Sequence, residues 1–200
     1  GWFCFNSGSA LAANPVAILA FLNTSIAAAT AMLTWVMFDL LVFKQVKVSG
    51  AVSGGIAGLV AITPGAGFIE PVGAAITGGI VALIVYVATT VIKYRMGYDD
   101  TLDAFGLHGV GGVAGGLFTG IFATKALSGQ SGLLAGGWHL FGIQVAAIVL
   151  TIILSVVMTW VIAKVVAVVT PLRVNEKAEA TGVDLWQHGE TIVTQIQTTR

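Results

Sequence analysis

Charged side chains are scarce in this sequence. Asp, Glu, Lys and Arg together make up 9% of its 200 residues, whereas a soluble domain usually carries about 25%. The acidic and basic residues balance to a net charge of zero, which argues against a nucleic-acid partner. Cysteine is nearly absent as well, and the single Cys4 excludes a disulfide within the chain.

Apolar side chains dominate instead, at 56% of the residues, and the mean hydropathy is +0.95. A helix that crosses a bilayer needs about 20 mostly apolar residues. Five stretches are candidates: 15–38, 48–62, 72–92, 101–123 and 138–172. We therefore predict an all-α, polytopic transmembrane helix bundle over residues 1–172, with a lipid bilayer as its surroundings.

The two ends of the chain differ from this bundle. Residues 1–13 are typical of the end of a sixth helix whose start is missing, so we expect the chain to be a piece of a longer protein. Residues 173–200 are more polar and too short to form a core. Lysine and arginine follow the first, third and fifth stretches, which predicts a cytoplasmic C-terminal tail in a cell-membrane protein. A disordered solubilising tail is the alternative.

One histidine, His108, lies in the glycine-rich stretch 103–120. With Asp100 as N-cap, the helix would start at Thr101 and place His108 about 10 Å from its start. Helical spacing groups it with a ridge of small residues that allows close helix packing, so we expect the ring to face protein. An ionisable residue inside a membrane is costly, so we predict that His108 is functional. The alternative is a structural histidine that is hydrogen-bonded to a backbone carbonyl.

Asp103 has a different expected role. It occupies the acidic position of a capping box that begins at Asp100. It also lies about 140° around the helix from His108, which makes direct pairing unfavourable. We therefore predict that Asp103 is structural, near the histidine but not bonded to it.

The chain opens with an aromatic segment. Trp2, Phe5 and Ser9 follow the spacing of one helical face. Aromatic faces attract small cations, and a hydroxyl accepts a hydrogen bond from them. This face predicts a cation-binding mouth, and an interfacial aromatic belt is the alternative.

Enzymatic features are weak. No nucleophile stands with paired carboxylates in the apolar stretches, so we predict no catalytic residues and no enzyme activity. A dinucleotide fingerprint occurs at 109–114, but no acidic residue follows at the required spacing, so it reflects helix packing. We expect neither a metal nor a cofactor.

Four long motifs resemble the ammonium transporter family (Amt/Mep/Rh), in particular its bacterial and archaeal Amt branch. They are GWFCFNSGSALAANP, SGGIAGLVAITPGAGFI, DAFGLHGVGGVAGGLFTGIFA and LRVNEKAEATGVDLWQHGE. The likeness runs along essentially the whole chain and corresponds to the second half of a family member.

The resemblance implies homotrimers with one pore per protomer, built from two inverted five-helix repeats and a long eleventh helix. It places His108 in a pore-lining histidine pair, Trp2 in the pore lining, Phe5 in the gate and Ser9 in the external ammonium recruitment site. It also implies that a PII-type signalling protein binds the cytoplasmic face. The expected function is ammonium transport, and an ammonium sensor and a general gas channel are the alternatives.

Overall fold

The computed structural model describes residues 1–190. Helices make up 77% of the described residues, and none of those residues forms a strand. The all-helical prediction is therefore confirmed, whereas the count of eleven helices and the assignment to a repeat stay predictions. The chain divides into two compact units, Gly1–Leu150 and Thr151–Arg200, with the division inside the last long helix. The predicted boundary between bundle and tail after residue 172 stays a prediction.

The helices follow one another with short connections. They are α1 (Trp2–Gly8), α2 (Pro15–Phe43), α3 (Val48–Ile62), α4 (Pro71–Val87), the π-helical turn π1 (Ala88–Ile92), α5 (Lys93–Met96), the π-helical turn π2 (Phe105–Val110), α6 (Gly111–Phe122), α7 (Lys125–Ser128), a 3₁₀ turn (Leu133–Ala135), α8 (Trp138–Val169), α9 (Glu176–Thr181) and the π-helical turn π3 (Asp184–His188).

Four helical segments are long and apolar enough to cross a membrane: Pro15–Phe43, Pro71–Met96, Phe105–Phe122 and Trp138–Val169. Helix α3 has the predicted bounds, but its 15 residues rise only about 22 Å, less than the ~30 Å of a bilayer core. The structure thus has the five predicted apolar helices, of which four reach spanning length.

Helix α2 begins as its sequence predicts and ends later. The Asn14 side chain accepts a hydrogen bond from Ala17 N at 3.0 Å, and Pro15 occupies the first helical position. The predicted end at residue 38 is wrong, because the helix continues to Phe43 and closes with Lys44 in the left-handed conformation. The extension brings Asp39 into the helix, where its side chain is buried.

Glycines bring the helix backbones of the first unit into direct contact. Gly58 of α3 and Gly78 of α4 both lie against the carbonyl oxygen of Ala27 in α2. Gly115 of α6 lies against the carbonyl oxygen of Ala61 in α3. A Cβ at any of the three glycines would overlap those oxygens, so any larger residue would push the helices apart.

Gly115 and Gly112 of α6 provide a matched test of this packing. Gly115→Ala should destabilise the protein by about 1–3 kcal/mol, because its methyl group would overlap backbone atoms. Gly112→Ala should be neutral or stabilising by up to ~1 kcal/mol, since a Cβ there meets nothing within 4 Å. Thermal unfolding of the full-length protein in detergent measures both, and equal effects at the two positions would contradict the packing described.

Candidate functional site

The helix that carries His108 begins later than its sequence predicts. Both carboxylate oxygens of Asp100 accept backbone hydrogen bonds, from Ala104 N and Phe105 N at 2.9 Å each. Asp100 therefore caps the helix, but residues 101–103 form a turn ahead of it. The predicted start at Thr101 is wrong, because this cap holds the N–H groups four and five residues further on. His108 consequently lies nearer to the helix start than the predicted distance of about 10 Å.

Asp103 does not complete a capping box. Its backbone is in the left-handed region with φ of 55°, and its carboxylate pairs with Lys93 Nζ of α5 at 2.7 Å. The ion pair ties the start of π2 to the end of the preceding long helix. Asp103 thus has a partner that its local sequence did not indicate, and its predicted structural role near the histidine stays a prediction.

The π-helical turn π2 sets the direction of the histidine ring. A π turn closes i→i+5 hydrogen bonds and so changes which residues share a face. Gly111, after the turn, packs against Val60 and Val85, but the His108 side chain is exposed. The regular α-helical spacing that grouped His108 with the glycine ridge is therefore absent across this turn, and the expectation that the ring faces protein stays a prediction.

The exposed imidazole stacks on an aromatic ring from the start of the chain. The ring centroids of Trp2 and His108 are 6.0 Å apart and their planes differ by 12°. Trp2 Nε1 donates to Thr63 Oγ1 at 2.8 Å, and Thr63 Oγ1 donates to the Leu59 carbonyl at 2.7 Å. The α3 terminus thus holds the indole ring in place against the histidine.

Thr63 and Lys93 are site residues that sequence reasoning missed. A threonine at a helix end ordinarily bonds its own backbone, and nothing in its neighbourhood indicates a tryptophan partner 61 residues away. Lys93 is one of the basic residues that follow the third apolar stretch and predict the topology. Its distance of ten residues from Asp103 does not indicate the ion pair, because Asp99 and Asp100 lie closer along the chain.

Phe5 and Ser9 lie beside this stack along the chain, in different settings. Phe5 is 68% exposed on α1. Ser9 follows the end of α1, and its Oγ donates to the Phe5 carbonyl at 2.9 Å. Trp2 and Phe5 thus lie within α1 and Ser9 caps its end, while their common face stays a prediction. The lone pairs of the Ser9 hydroxyl are left to accept hydrogen bonds.

A buried and a partly buried hydrogen bond hold α1, and with it the aromatic segment, on α2. Asn6 Nδ2 donates to Thr24 Oγ1 at 3.0 Å, and Ser7 Oγ donates to the Ala17 carbonyl at 2.8 Å. Within residues 1–190, no three His, Cys, Asp or Glu side chains are grouped to hold a metal ion. The groups at the candidate site are therefore aromatic rings, hydroxyls and one imidazole.

The second unit carries polar side chains of the predicted tail. Arg173 donates to both oxygens of Glu179, at 2.7 and 3.3 Å, and this guanidinium lowers the pKa of the Glu179 carboxyl. Asn175 caps α9 through Ala178 N at 2.8 Å. Trp186 is half exposed on π3. Residues 191–200 of the predicted tail lie outside the described residues.

The helices and their contacts define a class of protein. Long apolar helices, glycine-mediated backbone contacts and few charges are those of a multi-pass membrane protein. An imidazole stacked on an indole is exposed on the surface of these helices.

The chain belongs to the ammonium transporter family, whose model matches residues 1–193. It is 46% identical over 192 residues to an ammonium transporter of Bacillus subtilis, covering 95% of this chain and 48% of that protein. The chain thus spans about half the length of such curated relatives. Its assignment to the second half stays a prediction.

Solved structures share the fold. A sensor Amt protein aligns with a TM-score of 0.83 and 31% identity over 93% of this chain and 45% of its own. Mep2 of Saccharomyces cerevisiae aligns with a TM-score of 0.75 and 33% identity over 79% of this chain and 37% of its own. The helical arrangement described above is therefore that of Amt and Mep proteins.

A double-mutant cycle in the full-length protein would measure the hydrogen bond between Trp2 and Thr63. Trp2→Phe should cost about 0.5–1.5 kcal/mol of stability, the net worth of one hydrogen bond. Thr63→Val should cost about 1–3 kcal/mol because it leaves the indole N–H without its partner. The double variant should lose less than the sum. Trp138→Phe, at a tryptophan that is 73% exposed, is the control, and strict additivity would show that the two side chains are not coupled.

Proposed function

We propose that the complete protein transports ammonium across the cell membrane and that this chain supplies one wall of the pathway. The observation that supports the proposal is the Trp2–His108 stack on an exposed face of a family member. An exposed, fixed pair of rings between apolar helices is suited to contact a solute that passes along that face. Because the chain belongs to the ammonium transporter family, we infer that this solute is ammonium.

The outer step of the proposed path is recruitment. Ammonium is hydrated in water and must lose that shell to enter an apolar passage. The Ser9 hydroxyl can accept one of its hydrogen bonds, and the exposed face of Phe5 offers cation–π attraction. These contacts replace water at the mouth, so the cation is concentrated there before it is desolvated.

The inner step of the proposed path depends on His108. A dry, apolar passage disfavours the charged form of a solute, so ammonium gives a proton to water at the mouth or to the neutral imidazole before ammonia moves inward. A neutral imidazole both donates and accepts hydrogen bonds, and it therefore guides ammonia or relays the proton. Leucine would fill the same space but offers no hydrogen bond. Trp2 keeps the imidazole in one orientation through its own bond to Thr63.

For the rest of the complete protein, the proposal relies on membership in the family. The exposed face of the stack requires a facing wall, which we assign to the first half of the protein together with a second pore histidine. We further propose a homotrimer in the plasma or inner membrane, a cytoplasmic C-terminus and a PII-type protein as a partner there. No catalytic residue, metal or cofactor has a part in this scheme.

A sensor function is the second candidate. The similarity to a sensor Amt protein, at a TM-score of 0.83, favours it, because a sensor keeps the same membrane fold and passes on ammonium occupancy. Ammonium uptake by liposomes that contain only the full-length protein would favour transport. Ammonium binding without uptake would favour sensing.

Substitution of His108 tests the inner step. In the full-length protein, His108→Leu should abolish ammonium uptake or change its selectivity while the protein stays folded. The side chain is exposed in this chain and close to leucine in volume, so little packing is lost. Uptake into liposomes is the measurement, and His139→Leu, at an exposed histidine in the first turn of α8, is the control. Full uptake by the folded His108→Leu protein would reduce His108 to a structural residue.

Substitution of Ser9 tests recruitment. Ser9→Ala should raise the concentration of ammonium at half-maximal uptake about fivefold, the effect of a lost contact of ~1 kcal/mol, with little change in the maximal rate. Concentration series of uptake separate the two quantities. Ser49→Ala, at an exposed serine of α3, should change neither. A lower maximal rate at constant half-saturation would place Ser9 at a later step.

A further inference from the structure

Asp39 is a buried acid that the proposed pathway does not use. It lies in α2, is 2% exposed, and is flanked by the aromatic side chains of that helix and of α4. Trp35 packs edge-on against Tyr86 at a centroid distance of 5.1 Å, and Phe38 lies 5.7 Å from the same ring. A carboxylate is costly in such a setting unless its oxygens are compensated.

Two features of the fold compensate the Asp39 carboxylate. Tyr86 Oη donates to Asp39 Oδ1 at 3.5 Å, which links α2 to α4. Oδ2 has no hydrogen-bond partner among the described residues and lies against Gly50, in the first turn of α3. A Cβ at Gly50 would overlap this oxygen. The free N–H groups and the positive end of the α3 dipole lie in that turn, where negative charge is favoured.

Tyr86 connects this acid to the segment that carries His108. Thr89, one turn later, donates to the Val85 and Tyr86 carbonyls at 3.0 and 3.3 Å. Its methyl group occupies the space beside Gly106 of π2, where a Cβ would come within 2.5 Å of it. Leu107 packs in the same buried cluster as Trp35 and Tyr86. The two residues that precede His108 thus rest on the helix that Tyr86 anchors.

We propose that Asp39 is a positioning residue for His108, acting through Tyr86 and the contact between π1 and π2. This inference rests on the proposed function only where ammonium uptake is measured, since the NMR signal of His108 does not depend on transport. The carboxylate fixes Tyr86, Tyr86 fixes the end of α4 ahead of π1, and Thr89 fixes Gly106. The ion pair of Lys93 with Asp103 holds the other end of the same contact, so π2 is attached to its neighbour at two places.

Tyr86→Phe in the full-length protein is the cleanest test, because it removes only the hydroxyl. The imidazole ¹⁵N NMR signal of His108, assigned by its loss in His108→Gln, should shift in Tyr86→Phe and Asp39→Leu. Maximal uptake should fall about fivefold, the ratio that ~1 kcal/mol gives, at constant half-saturation. Asp39→Asn, which keeps a hydrogen-bond acceptor for Tyr86, should stay within about twofold of the wild type. The control is Tyr94→Phe, at a tyrosine that is 76% exposed.

The outcomes separate this inference from the proposed function. An unchanged His108 signal in folded Tyr86→Phe overturns the inference, even if that variant is less stable. A wild-type protein without ammonium uptake refutes the proposed function, while the NMR comparison still decides the inference. If Asp39→Leu does not fold, Tyr86→Phe alone decides it, since loss of one hydroxyl leaves the packing of the ring in place.

Discussion

Direct contact between helix backbones at glycine is the constraint on which the rest of this fold depends. In a bilayer, apolar side chains gain little by leaving lipid for a helix interface, so close packing and polar contacts must hold the helices together. Gly58 and Gly78 place α3 and α4 against the same carbonyl of α2, and Gly115 places α6 against Ala61. Each contact sets a distance between helix axes that no larger residue permits.

The candidate site inherits its geometry from these contacts. Thr63, which holds the Trp2 indole, comes two residues after Ala61, the residue that Gly115 touches. His108 precedes the same α6 contact by two helical turns at ~3.6 residues per turn. The close approach of α3 and α6 therefore determines where the hydroxyl and the imidazole lie, and Trp2 spans between them. The polar bonds orient side chains that backbone packing has already brought together.

The few charged side chains of this chain serve distinct purposes. Asp100 caps a helix, Asp103 pairs with Lys93, and Asp39 is buried at the first turn of α3. Each compensates local backbone or side-chain charge. The exposed imidazole of His108 differs from these acids, since it stacks on the aromatic ring of Trp2.

The parts of the fold that depend on local chemistry were predictable from sequence. The start of α2 follows from an Asn-Pro cap, and the bounds of α3 follow from an apolar run between Lys47 and the turn at Thr63. The extension of α2 past Asp39 was not predictable. An acidic residue after an apolar run normally marks the end of a membrane-spanning helix, and only the tertiary structure shows the partners of Asp39. The π-helical turns were missed for a similar reason, since the periodicity that predicts a helix assumes regular α geometry. The site residues Trp2, Phe5, Ser9 and His108 were named from type and resemblance, but the stacking of Trp2 on His108 is a tertiary contact that no spacing indicates.

Selective flux through the full-length protein is the most direct test of the central claim that this chain forms one wall of an ammonium pathway. Liposomes that contain the purified wild-type protein should show saturable ammonium uptake, while their permeability to water and CO2 equals that of protein-free liposomes. Equal increases for all three solutes would make the protein a general channel. The absence of any ammonium flux would contradict the account altogether.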